Sequence, residues 1–208
     1  MSHKDLSLIA EPKLFEKFLH LLQKGVRVKA RVGLNVLSFL CDDLGISPEY
    51  VDKRIQTLFL NGKAIDKPEA SFLKENSTLA LSAAMPGLLG ATLRKGSYYA
   101  RMRSEISHEE QNQGETVHEG SILLKLFNLL PAEIGPAVLA RGILLNGEEL
   151  NQFLKGLPEE LMGMCTEARL DGHAVDLQDL HQKIMKYELV LMKAESNSST
   201  ACHGRQNA

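Results

Sequence analysis

Apolar and basic residues alternate from Val26 to Val32, VRVKARV, the period-two pattern of a strand with one buried face. After Asn35 the rhythm lengthens to that of a helix. Val36, Leu37, Phe39, Leu40 and Leu44 share one face, Asn35 is placed to cap it, and Gly45 supplies the stop. Ser47-Pro48-Glu49 opens another helical turn, with Pro48 where a missing N–H costs nothing. Ile55 to Leu60 reads as a strand. Behind it, Asn61-Gly62 is the strongest hairpin signal in the chain, because both central residues of such a turn need positive φ. Thr78 to Ala84 reads as a final strand, with Leu79 and Leu81 on one face and Thr78, Ala80 and Ser82 on the other.

Part of this grammar recurs at an offset of 110 residues. Pro48-Glu49 falls on Pro158-Glu159, Asn61-Gly62 on Asp171-Gly172, and Leu79 and Leu81 on Leu189 and Leu191. Over the 24 positions starting at Asn61 there are six identities, among them Gly62/Gly172, Ala64/Ala174 and Asp66/Asp176. Two readings stand side by side: a degenerate tandem duplication, or two unrelated hairpins that share turn chemistry.

Between the two regions the composition breaks. Ser104 to Gly120 carries five Glu, no Lys or Arg, and few large apolar side chains, so it cannot bury enough surface to offset ordering entropy. The expected layout is a domain over 1–103, an acidic linker or long loop over 104–120, a second α+β lobe over 121–195 and a disordered tail over 196–208.

The stretch from Val36 to Gly45, with Leu60 to Ile65, Leu73 to Leu81 and Ala84 to Gly87, resembles the ubiquitin-like β-grasp sulfur carriers of thiamine and molybdopterin biosynthesis. The shared order is a helix, a strand ending in an Asn-Gly hairpin, a turn, a last strand and a glycine-bearing tail. The resemblance covers about residues 36–87 and implies a β-grasp fold for the first domain. Carrier activity in that family needs a free terminal Gly-Gly carboxylate. Here the chain runs on past Gly87 as Leu-Leu-Gly-Ala-Thr-Leu, and Gly-Gly is absent, so carrier chemistry would require proteolytic processing.

With 208 residues, 44% of them hydrophobic, the chain has enough apolar material for a packed core. A net charge of −2 argues against a nucleic-acid coat or a polybasic membrane anchor. Asn76 to Leu93 is 18 residues without a charge, but Pro86, Gly87, Gly90 and several hydroxyls dilute it too far for a membrane span. Cys41, Cys165 and Cys202 are scattered and odd in number, as in reduced cytoplasmic proteins, and no signal-peptide core follows Met1.

Candidate chemistry concentrates in Met85–Arg103. Gly87 and Gly90 permit close backbone approach, Arg94, Lys95, Arg101 and Arg103 could grip a phosphate or carboxylate, and Tyr98 or Tyr99 could stack on a planar group. The same residues also read as a solvated strand facing the acidic linker, and the spacing is not that of a Walker loop. A single-strand nucleic-acid groove would draw on the same side chains, with too few of them to carry it. Met85, Leu88 and Leu89 form an apolar loop suited to a partner surface or to the chain's own core. No metal-ligand spacing, hydrolase elbow or dinucleotide fingerprint is present. Cys41 reads as half-buried core, His173 as an exposed turn residue, and Asp66 and Asp176 as turn-capping groups.

The expectation from sequence is therefore an α+β protein, with a ubiquitin-like β-grasp lobe and a smaller second lobe. It would act as a protein-interaction or scaffold module in the cytoplasm, without cofactor or catalysis, binding another protein or itself. The alternatives are a binder or enzyme for a small anionic ligand, built on Met85–Arg103, and a sulfur carrier released by processing.

Overall fold

The computed structural model describes residues 3–83 and 116–197, with His181 and Gln182 described by their backbone alone. In chain order the elements are β1 (Lys4–Ala10), α1 (Pro12–Lys24), β2 (Val26–Val32), α2 (Val36–Ser38), α3 (Pro48–Lys53), β3 (Thr57–Leu60), β4 (Lys63–Ile65) and β5 (Thr78–Ser82). After the undescribed stretch come β6 (His118–Phe127), α4 (Leu130–Arg141), β7 (Ile143–Leu145), α5 (Gly147–Lys155), α6 (Glu159–Met162), β8 (Cys165–Leu170), β9 (His173–Ala174), α7 (Leu177–Ile184) and β10 (Val190–Ser196). The protein is α+β. Its contacts divide into two compact units, one combining Met1–Leu21 with Val138–Ala208, the other spanning Leu22–Ala137.

In the Leu22–Ala137 unit the strands lie in the order β4-β3-β5-β6-β2. The β4-β3, β3-β5 and β6-β2 pairs are antiparallel, and β5-β6 is parallel. Val26, Val28, Ala30 and Val32 alternate inward along β2 as expected, and meet Ile122, Leu124 and Leu126 of β6 with Leu79 and Leu81 of β5 in one core. Asn35 caps α2 by accepting from the Ser38 N–H at 2.8 Å. The helix then widens into a π-helical turn over Phe39–Asp43, which keeps Phe39 and Leu40 fully buried. Ser47 caps α3 with Pro48 at its first turn. The strand expected over Ile55–Leu60 begins at Thr57, since Ile55 is buried as the chain leaves α3, and the one expected to reach Ala84 ends at Ser82.

In the other unit the order is β9-β8-β1-β10-β7, with β1-β10 parallel and the remaining pairs antiparallel. Leu6, Leu8 and Ala10 of β1 and Val190, Met192 and Ala194 of β10 point into its core. Phe18 of α1 rests against Phe153 of α5, with ring centroids 5.4 Å apart and tilted by 40°. Asn146 and Glu149 form a reciprocal capping box at the start of α5. Gly147 follows, and a Cβ built there would stand 2.2 Å from the Ile184 carbonyl oxygen, so α5 and the end of α7 meet backbone to backbone.

Both hairpin turns have the expected geometry. Asn61 and Gly62 have φ of 52° and 80°, and Asp171 and Gly172 have 50° and 80°. The offset of 110 thus holds at the turns but slips by one at the last strand. Leu79 and Leu81 face their core, whereas in β10 that orientation belongs to Val190 and Met192, and Leu191, although buried, lies on the side of Asp5. In a strand a one-residue slip exchanges the two faces. Among the described residues no helix is long and apolar enough to cross a membrane.

Candidate functional site

The sheet of the Leu22–Ala137 unit has one side over its core and one side away from it. Alternation along the strands puts Arg27, Lys29 and Arg31 of β2 on the second side, with Ser121, Leu123 and Lys125 of β6, Ala80 of β5 and Phe59 of β3. The register brings Arg27 opposite Leu123, and Lys125 opposite Ala80, which in turn lies opposite Phe59. Leu123, Lys125, Ala80 and Phe59 are all half-buried. Phe127 and Leu129 extend the apolar surface at the end of β6, exposed at 41% and 56%. This side therefore sets apolar side chains among basic ones.

The basic groups are partly committed. The Arg27 guanidinium donates to Asn76 Oδ1 at 2.6 Å. Arg31 donates from Nε to Asp43 Oδ1 at 2.8 Å and from its main-chain N–H to Asp43 Oδ2 at 3.2 Å. Asp43 is buried, so this pairing serves the fold: it keeps a carboxylate compensated beside the π-helical turn.

A second cluster joins α3 to the first turn of α4. Arg54 donates through Nε to both Glu133 carboxylate oxygens, at 2.8 and 3.0 Å, and through Nη2 to Oε1, while the Tyr50 hydroxyl donates to Oε2. The Arg54 guanidinium, helped by Tyr50, holds the Glu133 carboxyl down at about 2. Burial first, then the adjacent carboxylate, pushes the Tyr50 phenol up to about 12. A phenol held neutral and a carboxylate held ionised by a bidentate arginine make a clamp, and neither is poised to exchange a proton near neutrality.

The thiols are turned away from reactivity in the same sense. Burial pushes Cys41 upward, with Asp42 adding to it, and burial likewise pushes Cys165 upward. Cys165 belongs to a groove of about 260 Å³ in the other unit, lined also by Met162, Glu167, Val175, Asp176 and Gln178. Its polar groups have partners within the fold. Cys165 Sγ donates to the Glu167 carbonyl at 3.3 Å, Glu167 pairs with Arg169, and Asp176 caps α7 by accepting from the Gln178 N–H at 2.8 Å. His173 is exposed in β9 beside its turn. Among the described residues no group of His, Cys, Asp and Glu converges so as to hold a metal ion.

The residues singled out from sequence for ligand binding, Gly87, Gly90, Arg94, Lys95, Tyr98, Tyr99, Arg101 and Arg103, lie outside the described residues. So do Met85, Leu88 and Leu89. Sequence reasoning did not single out Phe59, Ala80, Leu123 and Lys125, nor the Tyr50–Arg54–Glu133 cluster. The signal for the first group was the alternation within Ser121–Phe127, where Leu123 stands among polar positions on the side away from the core. For the second there was none, because Glu133 is distant in sequence from Tyr50 and Arg54. Comparison with protein-family models, with curated proteins and with solved structures finds no match.

Proposed function

We propose that this chain is a protein-interaction module without chemistry of its own. It docks through the side of the Leu22–Ala137 sheet that bears Phe59, Ala80 and Leu123, and through the Met85–Leu89 loop that follows β5 in sequence. The single observation that carries the reading is that Phe59, Ala80 and Leu123 lie half-buried on one side of the sheet, with Lys125 opposite Ala80 and Arg27 opposite Leu123. Apolar side chains with basic groups set among them suit a protein surface that offers apolar and acidic groups together.

The unit is read here as a β-grasp arrangement. Support comes from the ladder: a hairpin, β3-β4, then a strand, β5, that returns beside β3 and runs parallel to a central strand. The central strand, β6, enters from the far side of residues 84–115, so the grasp would be a permuted one. A degenerate duplication is proposed with it. Each half of the chain runs strand, helix, glycine, strand, Asn-capped helix, with Gly25 at φ 107° and Asn35 in the first, Gly142 at φ 111° and Asn146 in the second. Fold resemblance does not supply the activity of the sulfur carriers.

The test is site-specific photocrosslinking in cells, with the reactive residue at position 80 and, as a control, at Ser7 on the charged sheet side of the other unit. A discrete protein adduct from position 80 and none from position 7 is the expected result. No adduct from position 80, together with a thermal shift on adding phosphate or a nucleotide that is lost in Arg101→Ala, would replace this reading with the anionic-ligand one.

A further inference from the structure

Each compact unit draws strands from both sides of residues 84–115. In one, β1 occupies the interior of the sheet, paired with β10 from Lys4–Val190 to Ala10–Ser196 and with β8 along its other edge. Lys4 Nζ also donates to Asp171 Oδ2 at 2.7 Å, and the Asp5 N–H to Asp171 Oδ1 at 3.0 Å, which ties the β8–β9 turn to the start of the chain. In the other, β6 lies between β2 and β5, with Ile122, Leu124 and Leu126 wholly buried. The Ser121 N–H donates to Glu75, and the Leu123 N–H to the Ser77 carbonyl at 2.8 Å. Each half of the chain thus supplies a central strand to a sheet otherwise made by the other half.

We infer that the segments on either side of 84–115 are binding partners for each other, and that the chain stays assembled when it is cut between them. Separating them would pull β1 from between β8 and β10, and β6 from between β2 and β5. Both removals leave two strand edges without their main-chain partners and open an apolar core. Cutting the chain leaves these ladders in place and takes away the high effective concentration that the connection provides. A new C-terminus made at Gly87 would therefore remain on the complex, and residues 1–87 would not leave as a free carrier-like fragment. The inference does not rest on the docking reading, because it uses only the ladders inside each unit.

A protease recognition sequence flanked by glycine-serine spacers, inserted between Gln113 and Gly114 of the full chain, tests it. The purified protein is cut and examined at low-micromolar concentration by native mass spectrometry and circular dichroism, with the uncut insertion variant as control. Expected are one species with the summed mass of both fragments, a far-UV spectrum unchanged from the uncut control, and a melting midpoint that now rises with concentration. Fragments that separate, or a cut protein that loses its secondary structure, would overturn the inference. Failure of the photocrosslinking test leaves this result unaffected, so the two ideas fail separately.

Discussion

The two units have the same succession of strand pairings and fill it differently. From the hairpin edge each reads antiparallel, antiparallel, parallel, antiparallel. In the Leu22–Ala137 unit the strand after the hairpin, β5, takes the place beside β3. In the other unit β1 holds the place beside β8, and β10 moves one strand further on. The sides away from the core differ as well. One carries Phe59, Ala80 and Leu123. The other carries Asp5, Lys193, Glu195, Glu167 and Arg169 around Leu191 and Ile9, with Lys193 and Arg169 flanking Ser7. Main-chain hydrogen bonds accept any strand that arrives in the right direction, so connectivity can change while the ladder is kept. Side chains set what each face can do: paired charges of both signs are content in water, and half-buried apolar groups among cations alone are less so.

The largest effect expected in this comparison comes from the interior strand with the unusual partner. Leu8→Ala removes a buried side chain from the middle of β1 and should cost about 3 kcal/mol. Hydrogen exchange should then quicken in β8 and β10 while β3 and β4 keep their protection. If the quickened amides were instead those of β3–β5, β1 would belong with its neighbours in sequence and the pairing of the two units would need redrawing.

Next in size is the start of the Asn-capped helix, where the units diverge at a single position. After Asn35 stands Val36, which fills its core, whereas after Asn146 stands Gly147, which has main-chain oxygens against it. A Cβ at Gly147 would lie 2.2 Å from the Ile184 oxygen and 2.7 Å from that of Tyr187, and neither backbone atom can swing aside like a side chain. Gly147→Ala should cost about 2 kcal/mol by forcing α5 away from α7. Val36→Ala should cost about as much for the opposite reason, a cavity. Chemical denaturation with both variants decides it; a neutral Gly147→Ala would mean that the helices can part freely.

How much of this was legible before the structure follows from range. The β2 alternation, the Asn35 and Ser47 caps and both hairpin turns were readable because each is determined by residues within a few positions. β6 was not, because the adjacent Ile122, Leu123 and Leu124 blur the period-two signal, and the acidic reading of 104–120 extended into residues that begin the strand. The interior place of β1 was not either. KDLSLIA alternates well, but its partners lie 155 to 186 positions away, and nothing local names them. The site reading was drawn to Met85–Arg103 by glycines and arginines, which advertise themselves in sequence. The half-buried grouping of Phe59, Ala80 and Leu123 emerges only when three strands are laid side by side.

The caps themselves should differ by less. Both asparagines accept from the third residue beyond them, Ser38 N at 2.8 Å and Glu149 N at 2.7 Å, but only Glu149 returns a bond, at 3.0 Å, to the Asn146 N–H. Asn146→Ala and Asn35→Ala should each lose about 1 kcal/mol in denaturant titrations. Glu149→Ala should add a further small loss that Ser38→Ala does not match. Equal responses at Glu149 and Ser38 would remove this distinction between the units.

The smallest expected effect is in pH dependence, and here the units separate by how many side-chain donors each carboxylate has. Glu133 is held down at about 2 by Arg54 and Tyr50, below its ordinary 4.5, so its stabilising contribution is complete above pH 4.5 and is lost as pH falls toward 2. Tyr50 works at the other end. Its phenol is raised from 10 to about 12, so its contribution is present below pH 10 and lost as pH climbs through 12. Asp171, in the other unit, is also depressed, by Lys4 first and the Asp5 N–H second, but its one side-chain donor is a single flexible lysine, and salt screens the pair. Melting curves between pH 2 and pH 5 should therefore flatten in Glu133→Gln and barely change in Lys4→Ala, and added salt should narrow the Lys4 difference first. The reverse ranking would mean that the exposed Lys4–Asp171 tie, at the junction of chain start and hairpin, holds its unit more firmly than the clamp between α3 and α4 holds the other.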